Sequence, residues 1–184
     1  MLTQLQKRKL TKLFSMYDTA NNGSLKLSDF EQVAHRLAQL KGWKENTPEY
    51  QTLQEHYAYR WIHLRGDIKN ATHHHPDYQI DLNEWFEYHQ QLLEDEQFRK
   101  DIESLGAVIF EVVDLDENGQ LDKQEWKTLF QVYNLPVVYC DSTFAHLDSD
   151  EDGFLSRPEI LSLLQEFYFS NEPSAKGNYM FGPF

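Results

Sequence analysis

The chain carries a single cysteine, Cys140, in 184 residues. No internal disulfide can form, and a reducing compartment is the natural expectation. Long apolar runs are also lacking. No stretch approaches the ~18–20 apolar residues that span a bilayer, and the opening "MLTQLQKRKLTKLF" has no apolar core of the kind a secretory signal needs. A cytoplasmic protein is expected. Positive charge is scarce: 17 Lys and Arg stand against 30 Asp and Glu, for a formal net charge of -13. So acidic a chain is repelled by nucleic acid and by anionic membranes, so neither is an expected partner. It suits a collector of cations. Methionine is scarce too, at three, which leaves little of the adaptable thioether surface found in helix-gripping grooves.

Apolar material is nonetheless sufficient for a fold, with 40% hydrophobic and 14% aromatic residues, too much for a disordered acidic polymer. The length allows one substantial domain or two small lobes sharing a core.

The acidic residues are ordered. In "DLDENGQLDKQE", oxygen-bearing side chains fall at positions 1, 3 and 5 (Asp114, Asp116, Asn118). Gly119 follows at position 6, Gln120 at 7, Leu121 at 8, Asp122 at 9 and Glu125 at 12. This is the spacing of an EF-hand calcium loop. Calcium takes six to eight hard oxygens at about 2.3–2.6 Å. Positions 1, 3 and 5 point inward as the chain curls, and glycine permits the sharp turn. Gln120 gives its backbone carbonyl, and Glu125 closes the shell with two oxygens. Ile109, Phe110 and Val113 mark one face of an entering helix. Asp122 and Glu125 have the spacing that starts an exiting one, with Asp122 as N-cap.

The pattern returns in "DSDEDGFLSRPE". Asp148, Asp150 and Asp152 take positions 1, 3 and 5, Gly153 takes 6, Phe154 offers its carbonyl at 7, and Glu159 takes 12. Phe144 and Leu147 precede it as Phe110 and Val113 precede the other loop, and Ser156 and Glu159 form a capping box. The loops begin at 114 and 148, 34 residues apart, room for one helix, a turn and another helix. Leu121 and Leu155, both at position 8, are expected to meet in a short ribbon.

A third copy, "DTANNGSLKLSD", is poorer. Asp18, Asn22, Ser24 and Asp29 are its candidate ligands, but Ala20 stands where position 3 wants an oxygen, Lys26 adds positive charge, and Asp29 replaces the closing glutamate. The shorter carboxylate favours one-oxygen contact, which suits Mg²⁺ better than Ca²⁺. Whether this loop holds Ca²⁺, Mg²⁺ or nothing stays open. Its partner is a degenerate hand. Tyr57, Trp61 and Leu64 read as an entering helix, and Ile80 and Glu84 fall at positions 8 and 12. Counting back places His73, His75 and Asp77 at 1, 3 and 5, with Tyr78 where glycine belongs. This hand should be structural, with Ile80 pairing Leu25. "HHHP" at 73–76 reads as a loop and not a transition-metal site, because consecutive imidazoles cannot all face one ion.

Trp43, Trp61, Trp85 and Trp126 lie mostly on hand helices, where aromatics are core more often than cavity lining. Residues 91–104 contain no Gly or Pro and read as two helices meeting end to end, a rigid join. In the last residues, Tyr179, Met180, Phe181 and Phe184 are too apolar to trail in water. The tail is expected to fold back over a hydrophobic surface between the lobes.

The expected class is therefore all-α: four EF-hands in two paired lobes, residues 1–98 and 99–184, forming one compact domain. On these features the whole chain resembles the sarcoplasmic calcium-binding proteins and their calerythrin-type bacterial relatives. The tail "GNYMFGPF" looks like their aromatic ending. That resemblance implies a compact cytosolic protein that buffers or carries calcium, and a monomer is expected. The layout is shared by the calcium-regulated photoproteins and coelenterazine-binding proteins. Photoproteins carry a histidine in the last helix, whereas here it reads "ILSLLQEFYF". Light emission is not expected, and no nucleophile–base set suggests another catalytic activity. A sensor that grips a target protein is the alternative to a buffer, and a luciferin-binding protein the second alternative.

Overall fold

The computed structural model describes residues 1–66 and 78–184. Helix α1 (Gln4–Tyr17) begins at a capping box in which Thr3 and Gln6 satisfy each other's backbone N–H groups. Its apolar residues Leu10, Leu13, Phe14 and Tyr17 fall on one face and are buried. A loop then leads through β1 (Ser24–Leu25) into α2 (Leu27–Leu40). Helix α3 (Pro48–Gly66), strand β2 (Ile80–Asp81) and α4 (Leu82–Leu92) complete the first pair of hands. Antiparallel pairing joins Leu25 to Ile80, as expected.

Three residues separate α4 from α5 (Glu96–Val113), and the Asp95 side chain caps α5 by accepting from the Gln97 N–H. The second pair comprises α5, β3 (Gln120–Leu121), α6 (Lys123–Val132), α7 (Cys140–Leu147), β4 (Leu155–Ser156) and α8 (Arg157–Phe169). Leu121 meets Leu155 in the second ribbon. The fold is all-α, with four hands in two pairs.

One hydrophobic core runs through both pairs. Helices α5 and α8 approach closely because residue 106 is glycine: a Cβ there would sit 2.5 Å from Leu164 Cδ2. The interior also holds polar groups, several of them with a specific partner. The Tyr57 and Tyr133 hydroxyls lie 2.7 Å apart, and burial pushes both phenols well above their usual pKa. Trp85 Nε1 donates to the Leu10 carbonyl and Trp126 Nε1 to Thr143 Oγ1. All four are Trp or Tyr side chains with an apolar body and one satisfied polar tip.

The tail folds back. A short 3₁₀ turn, Lys176–Tyr179, lies on α8, and Met180 and Phe181 are buried. Phe181 meets Phe167 edge to face at 4.9 Å. Lys9 of α1 fastens this region, its Nζ donating to the Ser170 carbonyl at 2.7 Å and to Asn178 Oδ1 at 3.2 Å. Tyr179 departs from expectation. It is 46% exposed, because the 3₁₀ turn points it away from α8 toward the His146 ring. Phe184 is only half-buried, under the Arg8 guanidinium.

Candidate metal centres

The three complete loops share one backbone. Position 4 has a positive φ in each (Asn21 51°, Glu117 60°, Glu151 59°), as does the glycine at position 6 (Gly23 78°, Gly119 82°, Gly153 87°). Side chains other than glycine seldom occupy that region, so its repetition at position 4 is a feature of the loop. A scan for ligand oxygens gives no sign of it. The first loop has the same positive φ at both positions, so what sets it apart is its side chains.

In the loop from Asp114 to Glu125, Asp114 ends α5 and turns its carboxylate into the curl. Its oxygens accept from the Asn118 N–H at 3.1 Å and the Gly119 N–H at 2.9 Å. Asn118 Oδ1 accepts from the Gln120 N–H at 2.8 Å, and its amide donates to Asp116. Glu125, 6% exposed, is fixed at both oxygens: Oε1 accepts from the Leu115 N–H at 2.7 Å and Oε2 from the Asp122 N–H at 2.9 Å. Carboxylate oxygens of Asp114, Asp116 and Glu125 lie within 4.8 Å of one another. Three like charges at that range repel unless a cation lies among them. The donor set is hard oxygen throughout, as calcium requires.

The loop from Asp148 to Glu159 gathers Asp148, Asp150 and Asp152 within the same 4.8 Å. Asp148 Oδ2 accepts from the Gly153 N–H at 3.0 Å, while Asp148 Oδ1 is buried with no hydrogen-bond partner. Such an orphaned acceptor is costly and fits an oxygen placed to face a cation. Asp152 Oδ1 accepts from the Phe154 N–H. Glu159 stands apart from this group. Its Oε2 is held by the Ser156 hydroxyl at 2.7 Å and the Ser156 N–H at 2.9 Å, so the capping box competes for the closing carboxylate.

In the first loop, Asp18 accepts from the Asn22 and Gly23 N–H groups. The Ser24 hydroxyl donates to Asn22 Oδ1, at 2.8 Å, or to Gln79 Oε1, at 2.9 Å. Asp29 is 1% exposed. Its Oδ2 accepts from the Lys26 N–H at 2.9 Å, and the Thr19 hydroxyl donates to Asp29 Oδ1, at 2.9 Å, or to Gln32 Oε1, at 2.8 Å. Glu125 reaches the position-2 backbone N–H directly. The shorter Asp29 meets the Thr19 side chain instead, and the Thr19 N–H donates to the Tyr17 carbonyl. In the second hand Glu84 caps α4, accepting from the Asp81 N–H at 2.9 Å. His73, His75 and Asp77, and the histidine run that contains the first two, lie outside the described residues.

One contact has no counterpart in any loop pattern. Lys41, at the end of α2, donates from Nζ to the Asp114 carbonyl at 2.5 Å and lies 3.5 Å from Glu117 Oε1. The first pair of hands thus touches the third loop through a lysine 73 residues away in the chain. No local motif could have indicated it.

Paired helix–loop–helix units with these oxygen-lined loops define an EF-hand protein. A family model described as "EF hand" matches residues 105–130. Calerythrin of Saccharopolyspora erythraea is 22% identical over 172 residues, covering 92% of this chain and 95% of calerythrin. The sarcoplasmic calcium-binding protein of amphioxus superposes with a TM-score of 0.75 over the whole of both chains at 16% identity. The calcium-loaded apo form of the coelenterazine-binding protein from Renilla muelleri superposes with a TM-score of 0.69 at 19% identity, again over both whole chains. The chain has a four-hand EF-hand fold and is similar to calerythrin and the sarcoplasmic calcium-binding proteins.

Proposed function

We propose that the protein buffers or carries calcium, with tight sites in the third and fourth loops. The ligands assigned are Asp114, Asp116, Asn118, Gln120 (carbonyl) and Glu125, and Asp148, Asp150, Asp152, Phe154 (carbonyl) and Glu159. The first loop is assigned a weaker, Mg²⁺-favouring site at Asp18, Asn22, Ser24 and Asp29. We take 1–98 and 99–184 as the two units of the calcium response; the break between α4 and α5 falls just before that boundary.

The covered apolar surface carries the choice of buffer over sensor. A sensor must offer a groove to a target helix. Here Met180 and Phe181 fill the space against α8, at 3% and 5% exposure. The same packing argues against a luciferin-type ligand in the centre of the fold. The apolar cavity between Tyr17, Tyr133, Tyr168 and Phe181 measures about 50 Å³, whereas small-molecule sites run to roughly 300–1,000 Å³. The test is hydrophobic-dye and amphipathic-peptide binding by the calcium-loaded protein. Little of either is expected, and strong calcium-dependent binding would favour the sensor.

A further inference from the structure

A second cavity, of about 410 Å³, opens between α3 and the α4–α5 junction. That size falls within the range of small-molecule sites. Its deep wall is apolar, built from Leu64, Leu92, Phe98 and Leu105, all buried. Among them lies Arg60, only 8% exposed. Its Nη2 donates to the Tyr168 hydroxyl at 2.8 Å, and its guanidinium lies 5.6 Å from the Tyr17 ring centre. Its Nε–H is buried and has no acceptor. Among the described residues no carboxylate pairs with it. A buried cation held only by a hydroxyl and aromatic faces lacks the counter-charge that normally offsets desolvation. Glu55 and Asp101 also line the cavity, but Glu55 is exposed and Asp101 partly so, and water screens both.

We propose that this cleft binds a small amphipathic monocarboxylate, its apolar body against Phe98, Leu92 and Leu105 and its carboxylate accepting from Arg60. The site is separate from the calcium loops and stands or falls independently of the buffering role. The ligand would complete the ion pair that the buried Arg60 lacks among the described residues.

The probes are 2-naphthoate and its neutral analogue 2-naphthalenemethanol, titrated into the full calcium-loaded chain by calorimetry and followed by backbone amide shifts. Naphthoate should bind one to one, about tenfold more tightly than the alcohol, as expected for a charge-assisted pair. The perturbed amides should lie on α3 and α5. Arg60→Gln should bring the two probes within about twofold of each other. Because that variant also loses the bond to Tyr168 and risks unfolding, Asp101→Asn on the rim serves as the second arm. It should tighten naphthoate about two- to threefold and leave the alcohol unchanged. No saturable naphthoate binding up to about 1 mM, equal affinity for both probes, or shifts confined elsewhere would each overturn the proposal.

Discussion

Gly177 is where the account of the tail meets its strictest constraint. The 3₁₀ turn at Lys176–Tyr179 rests so closely on α8 that a Cβ at residue 177 would lie 2.6 Å from Glu166 Cβ and 2.9 Å from the Phe167 nitrogen, and would press on the Leu163 carbonyl. Two of those three are backbone atoms of a helix and cannot rotate aside. Gly177→Ala must therefore push the turn outward, breaking the bond from the Gly177 N–H to Glu166 Oε2. Overpacking of this kind costs about 1–3 kcal/mol. Full release of the tail would also expose Met180 and Phe181, each worth about 1.5–3 kcal/mol when buried, which sets a ceiling of roughly 3–6 kcal/mol. For a chain of this length each kcal/mol lowers Tm by about 2–4 °C. Thermal unfolding of the calcium-loaded variant should show a drop of several degrees, and dye binding should rise as the surface of α8 opens. An unchanged Tm with unchanged dye binding would refute the close docking of the tail.

Removing the tail beyond Pro173 should increase dye binding further. His89 is fully buried, and its pKa is lowered to about 3 by desolvation, and further by the Arg60 charge, against the opposing bond to the Trp85 carbonyl. The unfolded chain binds this proton below about pH 6.5 and the folded chain does not until about pH 3, so the stability His89 confers is lost as pH falls through that window, at about 1.4 kcal/mol per unit. His89→Phe should remove this slope, so that the wild-type-minus-variant stability difference falls as pH drops from about 6.5 toward 3, read by denaturant unfolding; parallel curves would contradict it. In the first loop, Asp29→Glu should raise calcium affinity relative to magnesium, because the longer carboxylate can supply both oxygens without pulling the loop inward; an unchanged preference in competition titrations would mean that Ala20 or an empty loop dominates. Finally, calcium should protect amides of 105–165 against hydrogen exchange far more than those of the first pair of hands, since a ligand at a hundred times its Kd adds about 2.7 kcal/mol per independent site; equal protection with and without calcium would make the ion mere cargo.

The fold was legible where local spacing carries it. Position-8 residues forecast both ribbons, Leu25 with Ile80 and Leu121 with Leu155, because the loop length sets their register. The caps Asp122 and Ser156 followed from D-x-x-E and S-x-x-E spacing. The candidate sites were less legible. The sequence places Glu159 at position 12 as surely as Glu125, yet in the folded chain Ser156 adds a hydroxyl that draws the Glu159 carboxylate to the helix cap. Lys41 on the third loop, Arg60 in the interior and Gly177 against α8 depend on contacts between elements far apart in the chain, which periodicity does not encode. The exposure of Tyr179 has the same origin: its composition argued for burial, and the turn that docks its neighbours directs it outward.

The central claim is that calcium is held in the loops at 114–125 and 148–159. Calorimetric titration of chelator-stripped protein, with and without magnesium, tests it most directly when run beside Glu125→Gln/Glu159→Gln, in which each loop loses a charge and its closing carboxylate. The account predicts two tight calcium sites in the native chain, a weaker magnesium-sensitive third, and loss of both tight sites in the double variant. Two tight sites surviving in that variant would contradict the assignment of the loops.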